Sequence, residues 1–151
     1  MKIYGIEQFT FTAGSAIVID DITDMSIDQE ADERVRGSDG DKWASVAYFE
    51  NFRLRGQINS TNMALLQAGL APGVAGYAVM KFPQHVSAGA GYESGSTKLQ
   101  ATIASSGNKT MVIGAIRSRA AHMGQDSQVT IPWVAVSADG VTSPVAFALA
   151  A

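Results

Sequence analysis

The sequence predicts a mainly β protein, an antiparallel β-sandwich or barrel with one short flanking α-helix. Three observations lead there. Apolar residues recur at every second position through most of the chain, which is the period of a half-buried strand. Clusters of Gly, Asn, Asp and Ser punctuate these runs at short intervals, as hairpin and meander connections require. Only one segment carries a helical apolar stripe between a start and a stop signal.

Taken in order, Phe9 and Phe11 alternate with threonines, and Ala16 to Ile19 is β-branched, so two short strands turn at Ala13-Gly14-Ser15. Over Ile22 to Glu30, Met25 and Ile27 point to a core while Asp24, Ser26, Asp28 and Glu30 form an acidic outer face. Ala31 to Lys42 is polar, holds the turn formers Arg36-Gly37-Ser38-Asp39-Gly40-Asp41, and reads as a long mobile loop. Ala44 to Glu50 and Phe52 to Ile58 read as two antiparallel strands joined near Glu50-Asn51. In the second, Phe52, Leu54 and Ile58 alternate with Arg53, Arg55 and Gln57.

The helix spans Asn62 to Leu70, with Ser60 or Thr61 as cap, Met63, Leu65, Leu66 and Leu70 as its stripe and Gly69 at its end, before Pro72-Gly73. Strands follow at Tyr77 to Phe82, Lys98 to Ala104, Thr110 to Arg119, Val129 to Val136 and Val145 to Leu149. Ser87 to Thr97, with Gly89, Gly91 and Gly95, is an exposed, adaptable loop. Neither a repeat nor a Pro/Ser-rich linker divides the 151 residues, which are expected to form one domain, 1–151.

Composition narrows the function. At 46% hydrophobic and 17% charged, the chain has enough apolar surface to offset its conformational entropy. The absence of cysteine rules out disulfides, thiolate metal sites and a cysteine nucleophile. Met1 to Phe11 has no basic segment followed by an apolar run, and Val145 to Ala151 is too short to span a bilayer, so no membrane association is expected. Charge is split. Residues 1–50 carry 4 basic and 11 acidic side chains, net −7, against 7 and 3, net +4, in the remainder. No basic patch suits nucleic-acid binding, but complementary halves suit head-to-tail docking of identical copies.

Catalytic motifs are lacking. His85 and His122 stand near no glycine-flanked serine, so no catalytic residue is assigned and no enzyme is expected. Asp39-Gly40-Asp41 and the crowd Asp20, Asp21, Asp24, Asp28 do not follow the calcium-loop spacing, and Gly89 to Gly95 misses the dinucleotide spacing, so neither metal nor cofactor is expected. Trp43, Trp133, Tyr48 and Phe49 at strand spacing read as core rather than as an aromatic platform.

The order of elements, from Ile22-Thr23-Asp24-Met25-Ser26-Ile27-Asp28 through Arg36-Gly37-Ser38-Asp39-Gly40-Asp41 to Phe52-Arg53-Leu54-Arg55-Gly56-Gln57-Ile58 and the helix, resembles that of phage tail tube proteins. This pattern covers about a third of the chain, and the resemblance implies the tube-protein β-sandwich with one flanking helix, a fold shared with the tubes of type VI secretion systems. The resemblance implies a structural virion protein whose six copies close a ring, the rings stacking into a hollow tube through which DNA passes without specific binding. It implies assembly in the host bacterial cytoplasm and partners among sheath or tail-terminator and baseplate proteins.

On this expectation Arg34, Arg36, Asp39, Asp41 and Lys42 form the inter-ring stacking loop, and Asp24, Asp28 and Glu30 an acidic strand facing the lumen. The glycine-rich stretch Ser87 to Thr97 has no place in the family pattern. The alternatives are another virion ring or decoration protein, or a calcium- or carbohydrate-binding β-sandwich module.

Overall fold

A computed structural model of the chain describes residues 9–83, 98–122 and 126–150. In these residues ten antiparallel strands form one hydrogen-bonded network: β1 Phe9–Thr12, β2 Ala16–Ile19, β3 Ile22–Arg36, β4 Val46–Ser60, β5 Ala75–Pro83, β6 Lys98–Ile103, β7 Met111–Ile113, β8 Arg117–Arg119, β9 Gln128–Ala135 and β10 Val145–Ala150. Two layers share β5, whose start pairs with β7 at Ala75 and Gly76 and whose remainder pairs with β1 and β6. The first layer runs β2-β1-β5-β6-β10, and the second runs β3-β4-β9 with β7 and β8 end to end along β9. The end strands β10 and β3 do not pair, so the sheet is not closed into a barrel.

The predicted alternation is most regular in β9, whose buried positions Val129, Ile131, Trp133 and Ala135 stand every second residue. They join Leu54 and Ile58 from β4, Phe9, Phe11 and Ile19 from β1 and β2, and Met80, Ala101 and Ile103 from β5 and β6. Met25 and Ile27 pack against this cluster from β3, as their period indicates.

Trp133 is 1% exposed and directly faces Gly56 across the β4–β9 ladder. The indole occupies the space a side chain there would need: a Cβ on Gly56 would stand 2.6 Å from Trp133 Cζ2 and collide with the Ser26 carbonyl oxygen. Gly56 thus lets β3, β4 and the indole approach closely in the middle of the second layer.

Four local expectations are corrected. Ala31 to Arg36 is not loop but the outer part of β3, and only residues 37–45 connect it to β4. Glu50-Asn51 is not a turn between two strands, because β4 runs unbroken from Val46 to Ser60. Asn51 takes the left-handed conformation, φ 56°, within a β-bulge: Glu30 faces Arg53 and Asp32 faces Glu50, so Asn51 and Phe52 together oppose Ala31.

The α-helix of Asn62 to Leu70 is instead a 3-10 helix, Met63–Gln67. The segment between the Asn62 cap and left-handed Gly69, φ 83°, is too short to repay α-helix nucleation. Its cap is Asn62, whose side chain accepts from Ala64 N at 3.0 Å, rather than Ser60 or Thr61. Thr110 to Arg119 divides into β7 and β8 because Pro132 accepts from Gly114 N at 2.8 Å but has no N–H to return. Ser87 to Thr97 and His85 lie outside the described residues.

Gly56→Ala is expected to destabilise the protein by about 1–3 kcal/mol, the usual cost of overpacking a filled core. Urea unfolding followed by the fluorescence of buried Trp133, in a Trp43→Phe background, measures the loss.

Candidate assembly surface

β9 covers β4 only from Leu54 to Ser60. Beyond that point β3 and β4 continue as an isolated two-stranded ribbon with pairs Asp32↔Glu50, Glu33↔Phe49, Arg34↔Tyr48, Val35↔Ala47 and Arg36↔Val46. Two-stranded hairpins are marginal in water, so side chains must support this one.

One face does so with alternating charge. Arg34 Nε donates to Glu50 Oε1 at 2.6 Å, Arg53 Nε to Glu30 Oε2 at 3.2 Å, and Arg53 Nη1 to Asp32 Oδ1 at 3.2 Å. Arg55 Nε lies 3.7 Å from the same Glu30 oxygen. At the bulge, Asn51 Nδ2 donates to Asp32 Oδ2 at 3.0 Å and Arg53 Nη1 to the Asn51 carbonyl at 3.2 Å. The Asn51 hydrogen bond, followed by the Arg53 guanidinium, holds the Asp32 carboxyl below its ordinary value. The group is solvent-exposed, so the energetic gain of each pair is small.

The opposite face is mostly apolar and, among the described residues, uncovered. By alternation Ala31, Val35, Ala47, Phe49 and Phe52 share it with one charge, Glu33 opposite Phe49, and Phe49 is 56% and Phe52 71% exposed. This corrects the expectation that Tyr48, Phe49 and Trp43 belong to the core, since Trp43 is 80% exposed at the hairpin end. Phe52 follows the core period of Leu54 and Ile58, but β9 ends opposite Leu54 and leaves Phe52 uncovered. An open cleft of about 580 Å3 lies between Phe52 and the segment Val136 to Val145.

That segment is held by Asp139, which accepts from Thr142 N at 2.7 Å, Val141 N at 2.8 Å, Thr142 Oγ1 at 2.7 Å and Ser137 Oγ at 2.9 Å. These donors, the Thr142 and Val141 backbone amides first, push its carboxyl far below the usual carboxylate range.

The residues expected to form a stacking loop are divided. Arg34 and Arg36 lie on β3, whereas Asp39, Asp41 and Lys42 lie in the connection. Arg34 is engaged by Glu50 of its own hairpin, and Asp41 Oδ2 accepts from Ser38 N at 3.0 Å and closes the turn. The acidic positions Asp24, Asp28 and Glu30 do share one face of β3. Glu30 is neutralised by Arg53 and Arg55, while Asp24 is bound by Asn59 Nδ2.

Sequence reasoning missed Asp32, Glu50, Arg53 and Arg55 as a lattice, although the acid run at 28–33 and the arginines at 53 and 55 are its signal. It also missed the row Asp24-Asn59-Thr130-Arg117, which crosses four strands in register. Thr130 Oγ1 donates to Asn59 Oδ1 at 2.7 Å within that row.

His122 is exposed in coil. Among the described residues, no group of three or more acidic or histidine side chains is placed to hold a metal ion, and no helix is long and apolar enough to cross a membrane.

No protein-family model matches the sequence, and no curated protein matches it. Among solved structures, the fold is similar to a chain of the cryo-EM structure of the anti-feeding prophage (AFP) baseplate, 6-fold symmetrised. The match has a TM-score of 0.50 at 10% identity and covers 98% of this chain and 97% of that one. Likeness at this identity is a likeness of fold.

Asp32 and Asp139 have lowered pKa values, so the stability they add is present above their ordinary value of 3.8 and lost as pH falls through the folded values. Amide exchange at Val141 and Thr142, corrected for intrinsic rates, is expected to stay slow from neutral pH down to about the unfolded carboxylate value and to accelerate below it. Asp139→Ala is expected to remove that protection at neutral pH.

Proposed function

We propose that this chain is a structural subunit of a phage tail or a related injection particle, without enzymatic activity, and that its copies close into rings. In this reading six subunits form a ring, rings stack into a hollow tube, and DNA passes without specific binding. The subunits assemble in the host bacterial cytoplasm and meet sheath or tail-terminator and baseplate proteins. The observation that carries the reading is the end-to-end likeness of fold to a chain of a baseplate described as 6-fold symmetrised.

Physical features support it. A ring gives the unpaired edge of β3 a partner, which protects an otherwise sticky strand. The projecting hairpin presents Trp43, Phe49 and Phe52 to solvent, an apolar surface suited to burial against another subunit. Asp28, turned toward a bore, would repel passing DNA. The origin of the structural neighbour in a baseplate favours one second reading, a ring at the baseplate end of the tube rather than the repeating tube subunit.

Electron microscopy of the purified protein over a concentration series is expected to show six-fold rings, and tubes if the chain is the repeating subunit. Dispersed monomers throughout, with calcium-dependent thermal stabilisation, would instead favour a calcium-binding module. Arg34→Glu with Arg36→Glu is expected to leave rings intact and shorten or abolish tubes. Tubes of normal length from this variant would remove the hairpin from ring stacking.

A further inference from the structure

The second layer ends in two free edges of opposite charge. Its first edge is β3, paired among the described residues only with β4. Asp24 lies on its outer face, and Asp20 and Asp21 stand just before it, all three exposed. Its other edge is β8, paired among the described residues only with β9, where Arg117 and Arg119 are exposed.

The two edges are level. Asp24 faces Asn59, Asn59 faces Thr130 and Thr130 faces Arg117, so one cross-strand row begins with a carboxylate and ends with a guanidinium on the same face of the sheet. Asn59 and Thr130 bond along the row and hold Asp24 in place. Arg117 forms no ion pair with any described residue.

Resting on the ring reading above, we propose that the β3 edge of one copy docks against the β8 edge of the next, with Asp24 and its acidic neighbours meeting Arg117 and Arg119. The contact is head-to-tail, because the acidic edge of each copy is used by one neighbour and its basic edge by the other. Such a heterologous contact closes a ring when its rotation divides a full turn. The level row lets the two sheets meet without a step, and the charges reject the two like-edge pairings. The −7 and +4 split of the sequence has a spatial counterpart here, since β3 belongs to the acidic part and β8 to the basic part.

The lack of cysteine makes the contact testable by cross-linking. Within one copy, positions 24 and 117 are separated by three strand spacings, about 14 Å, too far for an internal disulfide. On oxidation, Asp24→Cys/Arg117→Cys is expected to run as a ladder of covalent multimers on a denaturing gel.

Arg117→Asp/Arg119→Asp, which breaks no side-chain hydrogen bond or ion pair among the described residues, is expected to keep the wild-type melting midpoint and yet stay monomeric where wild type assembles. Asp24→Arg is expected to stay monomeric too. An equimolar mixture of the two variants is expected to assemble, each edge then meeting an opposite charge.

If wild type forms rings while the arginine variant assembles equally well, or while the oxidised cysteine variant stays monomeric, the edge contact is wrong and the ring reading stands. If wild type forms no rings and no covalent ladder appears, both fall.

Discussion

Trp133 against Gly56 is the contact on which the rest of the molecule depends. It pins β9 to β4 in one register and, because Ser26 of β3 crowds the same glycine, it sets the approach of β3 as well. A one-residue slip would turn Leu54 and Ile58 outward and bring Arg55 and Gln57 into the core. The indole is buried so fully that its Nε1 has no hydrogen-bond partner among the described residues, a cost borne for the packing around it. With the three strands locked at their base, β3 and β4 run past the end of β9 as a paired ribbon.

Among the described residues the ribbon has no second layer beneath it, and its two faces meet that condition differently. On one, acid and arginine alternate across the strands, and the bulge at Asn51 lets Arg53 reach Glu30, Asp32 and the Asn51 carbonyl together. Pairs this exposed contribute little individually, but sharing Arg53 and Glu30 among several partners lowers the ordering cost of each. On the other face Phe49 and Phe52 remain in water. A ribbon braced by charge on one side and apolar on the other suits burial of the apolar side against a partner.

The same economy governs the sheet edges. Long unpaired strands invite indiscriminate pairing, and acidic side chains beside β3 and arginines on β8 make each edge selective for its opposite. The polar row Asp24-Asn59-Thr130 couples the edge to the interior of the sheet through hydrogen bonds rather than through packing.

Alternation and turn residues determined the β class, the antiparallel strands and most of the core, because a period of two needs only neighbouring residues to express it. Leu54, Ile58 and Trp133 could be placed from sequence for that reason. Asn51 misled because a left-handed Asn is common to turns and bulges, and only pairing with Ala31 on a strand 20 positions away distinguishes them. Ala31 to Arg36 looked like loop because a ribbon stabilised by cross-strand charge lacks an apolar period. Trp43 and Phe52 have the character of core residues, yet the long hairpin carries Trp43 to its far end and Phe52 past the end of β9, where both are exposed. Neighbouring residues suffice to show which positions alternate and what sign of charge each half carries. Where the layers end, and therefore which alternating faces are buried and which charged edges stand level, depends on strands far apart in the chain and emerges with the assembled fold.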